Sequence, residues 1–468
     1  MKKMTFGLIV GNRGFFPDEL AANGRKELIA VLKKLGYDAI CLSESQSKFG
    51  SVETYEDAKA CAELFKKNKN KIDGIIVTLP NFGDERGVAN SIRMADLNVP
   101  VLVQAEPDNE TTMTIKHRRD SFCGKISVCN NLRQYGIPFT MTTYHTESIH
   151  SLEFAEDLTS FAQTCRIVNG FKSIRVGAIG TRPPNFNTVR YSEKLLELNG
   201  ITVEPVDLYE FFGNVNKLAE KDAIVKAKLE EINSYIQCKN VPKEALLKMA
   251  KFGAYLDKWM KNNDIDITAI QCWTAMEEFF GIVPCSVMSM LSNKLMPSAC
   301  EVDVCGALSM YAMQLASGKA SALADWNNNY GDDPDKCILF HCSNYPKSML
   351  EKPEMDYQAI IAGSVGKSNA FGSCVGRLIP GNFSYTRMTT DDVSGEILVY
   401  TGEGCMTNDK LSTFGGYGVA QIPELQDLLS YICDNGFEHH VAINYSQVAD
   451  AVTEAFENYL GWDVYLHS

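Results

Sequence analysis

The chain has 468 residues, more than one hydrophobic core usually serves, so two or three domains are expected. Hydrophobic residues make up 45% and charged residues 22%, the balance of a globular protein, and the formal net charge of −13 disfavours non-specific nucleic-acid binding, which needs a basic footprint. No apolar run approaches the roughly 18 residues of a membrane helix, and the 15 cysteines include no C-x-x-C pair, which removes zinc-ribbon and thioredoxin-type sites.

The first third alternates strand and helix. Two lysines precede the run Phe6 to Val10 as in a secretory signal, but the run is short, carries Thr5 and Gly7 at its start, and breaks at Gly11-Asn12-Arg13. It is expected to be a first strand. A helix follows over 18–35, with Leu28, Val31, Leu32 and Leu35 at helical spacing and Gly36 as its stop. A strand over 39–42, a helix over 55–69 facing inward through Ala58, Cys61 and Phe65, and strands over 74–77 and 99–103 complete a β-α-β pattern. That pattern implies a parallel sheet with right-handed crossovers.

The pattern restarts at 173–179. A helix with Leu195, Leu196 and Leu198 follows, then a strand over 201–203, helical stretches near 216–237 and 243–263, and a strand over 267–272 that ends at Trp273. The charged, turn-rich stretch around 346–356, with Pro346 and Pro353, marks a boundary. Beyond it the chain is rich in glycine and short β-prone runs such as Glu396 to Tyr400, which predicts mostly antiparallel sheet. A closing helix is expected with Ser446 as N-cap, Val448, Val452, Phe456, Tyr459 and Leu460 as its buried stripe, and Gly461 at its end. The expected fold class is α/β: two Rossmann-like parallel-sheet domains, over 1–170 and 171–355, then a mainly antiparallel β domain over 356–468.

Three polar residues stand at the exits of apolar runs. Glu301 follows Pro297-Ser298-Ala299-Cys300, Asp325 follows Ser321-Ala322-Leu323-Ala324, and His341 follows Cys337-Ile338-Leu339-Phe340. In a parallel sheet the carboxyl ends of strands are where ligands bind. Two carboxylates and an imidazole suit Mn²⁺ or another hard-to-borderline divalent ion better than a thiolate metal. The pair His439-His440 precedes Val441, and consecutive residues of a strand face opposite ways, so at most one of the two is expected at the same site. Taken singly, each has a plainer reading: Glu301 as a charge favoured at a helix N-terminus, Asp325 as a turn cap, His341 as a core histidine, and His439-His440 as an exposed pair at a loop end.

Other patterns fail. Gly363 to Ser368 resembles a phosphate loop, but Ile361 stands where that motif needs glycine. The first strand is not followed by G-x-G-x-x-G, and Asp332-Asp333-Pro334-Asp335 lacks calcium-loop spacing. His117-Arg118-Arg119-Asp120 is either an anion grip or a salt-bridged surface turn.

The segments ACEVDVCGAL around Glu301, ALADW at Asp325, ILFHCSN at His341 and EHHVAINY at His440, with the earlier RDSFCGKISVCNNLRQYGIPF, together resemble the L-fucose isomerase and L-arabinose isomerase superfamily over nearly the whole chain. The resemblance implies an enzyme that interconverts an aldose and its 2-ketose through a metal-stabilised enediolate. It implies that Glu301 and Asp325 bind the metal and act as the acid–base pair, and that His440 is the third protein ligand. Mn²⁺ leads the candidate ions, with Mg²⁺ or Co²⁺ behind it. Arabinose isomerases have a further histidine where His341 stands, as a ligand or as a substrate contact. Arg13 resembles an arginine that one subunit lends to its neighbour, and Gln271 and Trp273 fall where relatives line the sugar pocket. Asn344 joins these as a substrate-binding candidate, and Trp273, Trp326 and Phe82 are candidate pocket walls. Members of the superfamily form symmetric oligomers, commonly hexamers. The C-terminal region is shorter than in typical fucose isomerases, which leaves the sugar open: L-fucose, D-arabinose, L-arabinose, or an anionic sugar such as sulfoquinovose met by Arg13, Arg118, Arg119 or Arg377. A homo-oligomeric cytoplasmic enzyme is expected, with no nucleic-acid or membrane partner. Its rivals are a non-catalytic cytoplasmic sugar-binding protein and another enediolate enzyme such as an epimerase or aldolase.

Overall fold

The computed structural model describes residues 3–468; the first two residues of the segment weighed as a signal lie outside it. The chain forms two compact units, one of Met1–Asn169 with Glu454–Gly461 and one of Gly170–Thr453 with Trp462–Ser468.

The first unit holds a parallel five-stranded sheet of β1 (Thr5–Val10), β2 (Asp38–Ile40), β3 (Gly74–Leu79), β4 (Val101–Ala105) and β5 (Thr140–Met141), in the order β2-β1-β3-β4-β5. β3 and β4 are buried along their whole length, which is why residues 74–77 and 101–103 read as apolar runs, and the polar Thr78 and Gln104 that follow them bond each other. The helix Tyr55–Lys67 starts where its sequence says it should. The Thr54 hydroxyl accepts from the Asp57 N–H while the Asp57 carboxylate accepts from the Thr54 N–H, and Ala58, Cys61 and Phe65 are buried beneath it. The helix Glu85–Ala95, capped by Asp84, was not anticipated. Its mark is there to read, since Val88, Ile92 and Ala95 are buried at helical spacing, with the polar Asn90 and Ser91 buried among them.

The second unit opens with a parallel four-stranded sheet of β6 (Ile174–Ile179), β7 (Ile201–Val206), β8 (Ile267–Ile270) and β9 (Ser298–Cys300), in the order β7-β6-β8-β9. The helical stretch expected near 216–237 is two helices, Leu208–Asn216 and Ala223–Tyr235, followed by Lys243–Asn262.

A nine-stranded, mostly antiparallel sheet follows. It contains β10 (Ser321–Asn329), β11 (Lys336–His341), β12 (Leu350–Tyr357), β13 (Phe371–Leu378), β14 (Gly381–Asp391), β15 (Glu396–Met406), β16 (Gly416–Gln421), β17 (His440–Asn444) and β18 (Asp463–His467). Its order is β12-β13-β16-β11-β10-β17-β14-β15-β18, and the pairs β13–β16 and β15–β18 are parallel. Mostly antiparallel sheet was expected only beyond residue 355, yet β10 and β11 already belong to it. The physical reason is the connection. Only Tyr330 to Asp335 separate the two strands, and so short a link can join antiparallel neighbours but cannot carry the crossover that parallel ones require. Asp332 to Asp335 are that turn.

The expected closing helix is shorter than the sequence suggested. Ala449–Thr453 is α-helical and Glu454–Tyr459 is a π turn, after which β18 returns to the sheet. Ser446 does not cap it; its hydroxyl donates to Asn444 Oδ1. Tyr459 is fixed by its phenol, which bonds the backbone of Val101 and the hydroxyl of Thr140 within the first unit.

The helix Val304–Ser317 lies under the large sheet and packs against β10, β14 and β17. Nearly all of its residues are buried, as expected of a helix apolar on every side. Its N-cap is Asp303, whose Oδ1 accepts from the Gly306 N–H at 2.8 Å. That cap stands two residues beyond Glu301, and the helix starts at Val304.

Candidate metal centre

Glu301 leaves β9 in a tight turn. Glu301 and Val302 have φ of +56° and +57°, the left-handed region that a β-branched valine seldom enters. Such residues cost of order 1–3 kcal/mol each and gather at functional sites. The pairing of Ile270 with Cys300 brings the residues after β8 alongside Glu301. There Trp273 Nε1 donates to Glu301 Oε1 at 3.0 Å, and Cys272 Sγ approaches the same oxygen at 3.4 Å. Oε1 is therefore held, and Oε2 turns toward two imidazoles, 3.9 Å from His341 Nε2 and 3.8 Å from His440 Nε2.

Asp325 and His440 are directly opposed across β10 and β17, so their side chains share a face of the sheet. Asp325 Oδ1 lies 3.4 Å from His440 Nε2. Asp325, His341 and His440 each present a ligand atom within 4.8 Å of the others. His439 is also near, with Nε2 3.7 Å from Asp325 Oδ1. The alternation that was expected to keep one of the two histidines away does not hold, because β17 begins at His440 and His439 precedes it. Burial, then the neighbouring His440, pushes the pKa of His439 down to about 4, so it stands uncharged at neutral pH.

Behind His440 is a buried chain of charges that the sequence reading missed. His440 Nδ1 lies 2.8 Å from Asp303 Oδ2. Asp303 also takes both terminal nitrogens of Arg387, at 2.5 and 3.0 Å. The Arg387 Nε and Nη2 reach Glu438 at 3.0 and 2.8 Å, and Thr389 donates to Glu438 at 2.8 Å. Burial alone would raise the Asp303 pKa, but the Arg387 guanidinium and His440 outweigh it and hold the carboxyl well below the usual range. Glu301 is raised by burial, only partly offset by His341 and His440. For His341 burial opposes the charged form, yet Cys342, Asp325 and Glu301 outweigh it and lift the pKa to about 10.

The donor set can be tested against a divalent ion. Among the described residues, Glu301 Oε2 and Asp325 Oδ1 are buried without a hydrogen-bond partner. Buried polar atoms are rarely left so, and an unfilled ion position is one of the few good reasons. Two carboxylate oxygens and the imidazole nitrogen of His440, with His341 beside them, form an O/N set that suits such an ion. The residues fit the group.

The remaining candidates fall as follows. Phe186, also missed, packs against Trp273, His439 and His440 with ring centroids 5.6, 5.3 and 5.6 Å away, and makes an aromatic wall beside the imidazoles. Gln271 Oε1 accepts from the Thr181 N–H at 2.9 Å. Asn344 Nδ2 donates to the Ser298 carbonyl at 2.9 Å, tying the end of β11 to β9. Trp326 is not a pocket wall. Its indole donates to Tyr400 at 2.9 Å and meets Tyr385 edge-on, because a strand turns residue 326 to the face opposite Asp325. In the first unit, Arg13 donates to the Gly83 carbonyl, pairs with Glu85 and stacks 4.3 Å from the Phe82 ring. Arg118 pairs with Asp120, which favours the surface-turn reading of that segment. Arg119 donates to the Pro80 carbonyl, and Arg377 to the carbonyls of Thr407 and Asp409.

Residues 7–172 match the family model of the fucose/sulfoquinovose isomerase N-terminal domain, and residues 339–467 match that of the L-fucose isomerase C-terminal domain. A sulfoquinovose isomerase of Priestia aryabhattai is 24% identical over 389 residues, 82% of this chain and 83% of the relative. One of Alkalicoccus urumqiensis is 22% identical over 386 residues, with 82% and 83% covered. One of Clostridium sp. (strain MSTE9) is 27% identical over 216 residues, 44% and 46% of the two chains. With both ends of the chain matched and a metal-type donor cluster between its sheets, the chain belongs to the fucose/arabinose isomerase superfamily of metal-dependent aldose–ketose isomerases.

Proposed function

We propose that this protein interconverts an anionic aldose of the sulfoquinovose kind and its 2-ketose, with Glu301 and Asp325 as the acid–base pair. The observation that carries the sulfonated sugar over a neutral one is that relatives spanning four-fifths of the chain are sulfoquinovose isomerases. A neutral aldose such as L-fucose is the second reading, favoured by the C-terminal family match.

Glu301, Asp325 and His440 would hold the ion, with His341 beside them; Mn²⁺ fits this O/N set, ahead of Mg²⁺ or Co²⁺. Bound there, a divalent ion supplies Lewis-acid polarisation of the sugar carbonyl and stabilises enediolate charge. The protein residues do the proton work. Turning aldose into ketose carries the C2 hydrogen to C1 as a proton, and the O2 hydroxyl proton to O1. One carboxylate takes and returns the carbon-bound proton while the other shuttles the oxygen-bound one. The Trp273 indole holds Glu301 Oε1 and fixes that carboxylate with Oε2 turned inward, where it would face the ion and the reacting sugar. Asp325 Oδ1 is likewise without a hydrogen-bond partner and would face both. Phe186 and Trp273 offer apolar faces to sugar C–H groups. In this reading Gln271, Asn344 and His341 orient the substrate.

The same reading makes the protein a homo-oligomer, a hexamer first, in which Arg13 serves a neighbouring subunit. No helix among the described residues is long and apolar enough to cross a membrane. The fifteen free cysteines suit a reducing, cytoplasmic setting.

The test incubates metal-stripped protein with a panel of aldoses, sulfoquinovose among them, with and without Mn²⁺, and follows products by NMR in D₂O. A Mn²⁺-dependent ketose from sulfoquinovose, deuterated beside the carbonyl, is expected. A ketose only from neutral sugars moves the assignment to the second reading. Binding without any ketose overturns the catalytic assignment of Glu301 and Asp325.

A further inference from the structure

The His341 imidazole has different neighbours on its two sides. Asp325 and His440 make one set with it. The other set holds two thiols: Cys300, the last residue of β9, and Cys342, the residue after His341. Cys300, Glu301, His341 and Cys342 each offer a ligand atom, and all four atoms lie within 4.8 Å of one another. His341 Nδ1 is 3.4 Å from Cys342 Sγ, while Nε2 points to Glu301 Oε2 at 3.9 Å. Cys300, Glu301 and His341 are buried, and Cys342 is partly open.

We propose that Cys300, Glu301, His341 and Cys342 form a second metal site, for a thiophilic ion such as Zn²⁺ or Cd²⁺, which overlaps the oxygen-rich centre through Glu301 and His341. The donor chemistry separates the two sites. Two sulfurs, one imidazole and one carboxylate are a zinc-type tetrahedral set, whereas the Asp325 side offers oxygen and nitrogen. Zinc takes sulfur at about 2.3 Å and nitrogen at about 2.0 Å, so tetrahedral ligand atoms stand ~3.5 Å apart. His341 Nδ1 and Cys342 Sγ, at 3.4 Å, already stand at that spacing, and the widest pairs close by at most about 1.3 Å to reach it. Binding deprotonates both thiols and releases two protons. Four protein donors close the coordination shell, as in structural zinc sites, and leave no position for a sugar oxygen. The thiophilic ion therefore excludes the catalytic one and silences the enzyme, and thiol-rich medium restores it by drawing that ion away. The exclusion rests on the role of Glu301 proposed above; the thiolate site does not.

The test titrates the full metal-free protein with Cd²⁺ and reads the thiolate-to-metal charge-transfer absorption, which involves no sugar. The band is expected to saturate at one Cd²⁺ per chain. Cys342→Ser and Cys300→Ser are each expected to weaken Cd²⁺ binding by more than the roughly 10–100-fold that loss of an outer contact costs. Both variants should keep the thermal stabilisation that Mn²⁺ gives, which also shows that they fold. Since Cys342 is partly open, its serine variant carries the test if Cys300→Ser does not fold. In the unaltered protein preloaded with Mn²⁺, added Zn²⁺ should release free Mn²⁺, read by its electron-spin resonance. No band, or a band of equal strength in both variants, overturns the site. A band that depends on both cysteines without Mn²⁺ release overturns the overlap.

Discussion

His440 Nδ1 and Asp303 Oδ2 are 2.8 Å apart, both in side chains closed to solvent. Asp303 is held ionised by Arg387, so its oxygens can only accept. The proton of that bond must sit on Nδ1, and the other ring nitrogen faces Asp325 and Glu301. A carboxylate behind a histidine fixes the tautomer and the ring angle and raises the basicity of the free nitrogen. Asp303→Asn is accordingly expected to weaken Mn²⁺ binding by about 10–100-fold. It should also lower stability by a few kcal/mol, roughly the cost of breaking one side of a buried ion pair, less what Glu438 still returns to Arg387. Isothermal titration with Mn²⁺ measures the first effect and thermal unfolding the second. An unchanged Mn²⁺ affinity would leave Asp303 only its structural roles, as helix cap and as partner of Arg387.

Glu301→Gln keeps the acceptor that the Trp273 indole needs and removes the group that takes a proton. Asp325→Asn does the same on β10. Each is expected to lower kcat by about 10²–10⁴-fold, the usual contribution of a positioned acid or base, with an unchanged melting temperature in the metal-free protein. Retention of turnover by either variant would remove that residue from the acid–base pair.

Trp273 tests how far the held oxygen matters. Trp273→Phe keeps the ring beside Phe186 and deletes the donor to Glu301 Oε1. A hydrogen bond to a charged group is worth about 1.5–3 kcal/mol, so kcat should fall about 10–100-fold. If the bond only orients Glu301, KM moves little. A rise in KM at constant kcat would make Trp273 a binding wall instead.

The strands of the first unit were legible because buried parallel strands are apolar on both faces, as β3 and β4 are. β5, two residues long, carries too little pattern to be seen. Glu301, Asp325, His341 and His440 were visible as polar residues ending or flanking apolar runs. The sheet holding Asp325 and His341 was misplaced because an apolar run reads alike in either kind of sheet, and only the six-residue link between β10 and β11 tells them apart. Asp303 and Arg387 meet across 84 residues of chain, and no local spacing announces such a pair. Each left a faint mark all the same: an aspartate where a helix cap belongs, and a lone arginine within a strand buried almost throughout. Phe186 left none, since its loop Thr181 to Arg190 has no periodicity.

Glu277 gives a pH prediction with a definite sign. Among the described residues its two carboxylate oxygens are buried and unpartnered, and its side chain is closed to solvent. Burial raises its pKa from an ordinary 4.5 to about 8, with Cys342, Glu278 and Glu301 adding to the shift. Between those two values the folded protein keeps a proton that the unfolded chain has lost. Stability therefore falls as pH rises, by up to about 1.4 kcal/mol per pH unit, and the fall stops once the folded carboxyl ionises near pH 8. Glu277→Gln removes the titration and keeps the neutral shape. The metal-free variant should match the parent near pH 4.5 and become more stable than it as pH approaches 8. Thermal unfolding of both proteins across that range decides the matter. Parallel curves would mean that Glu277 is already ionised in the fold, and that a partner or water reaches its carboxylate.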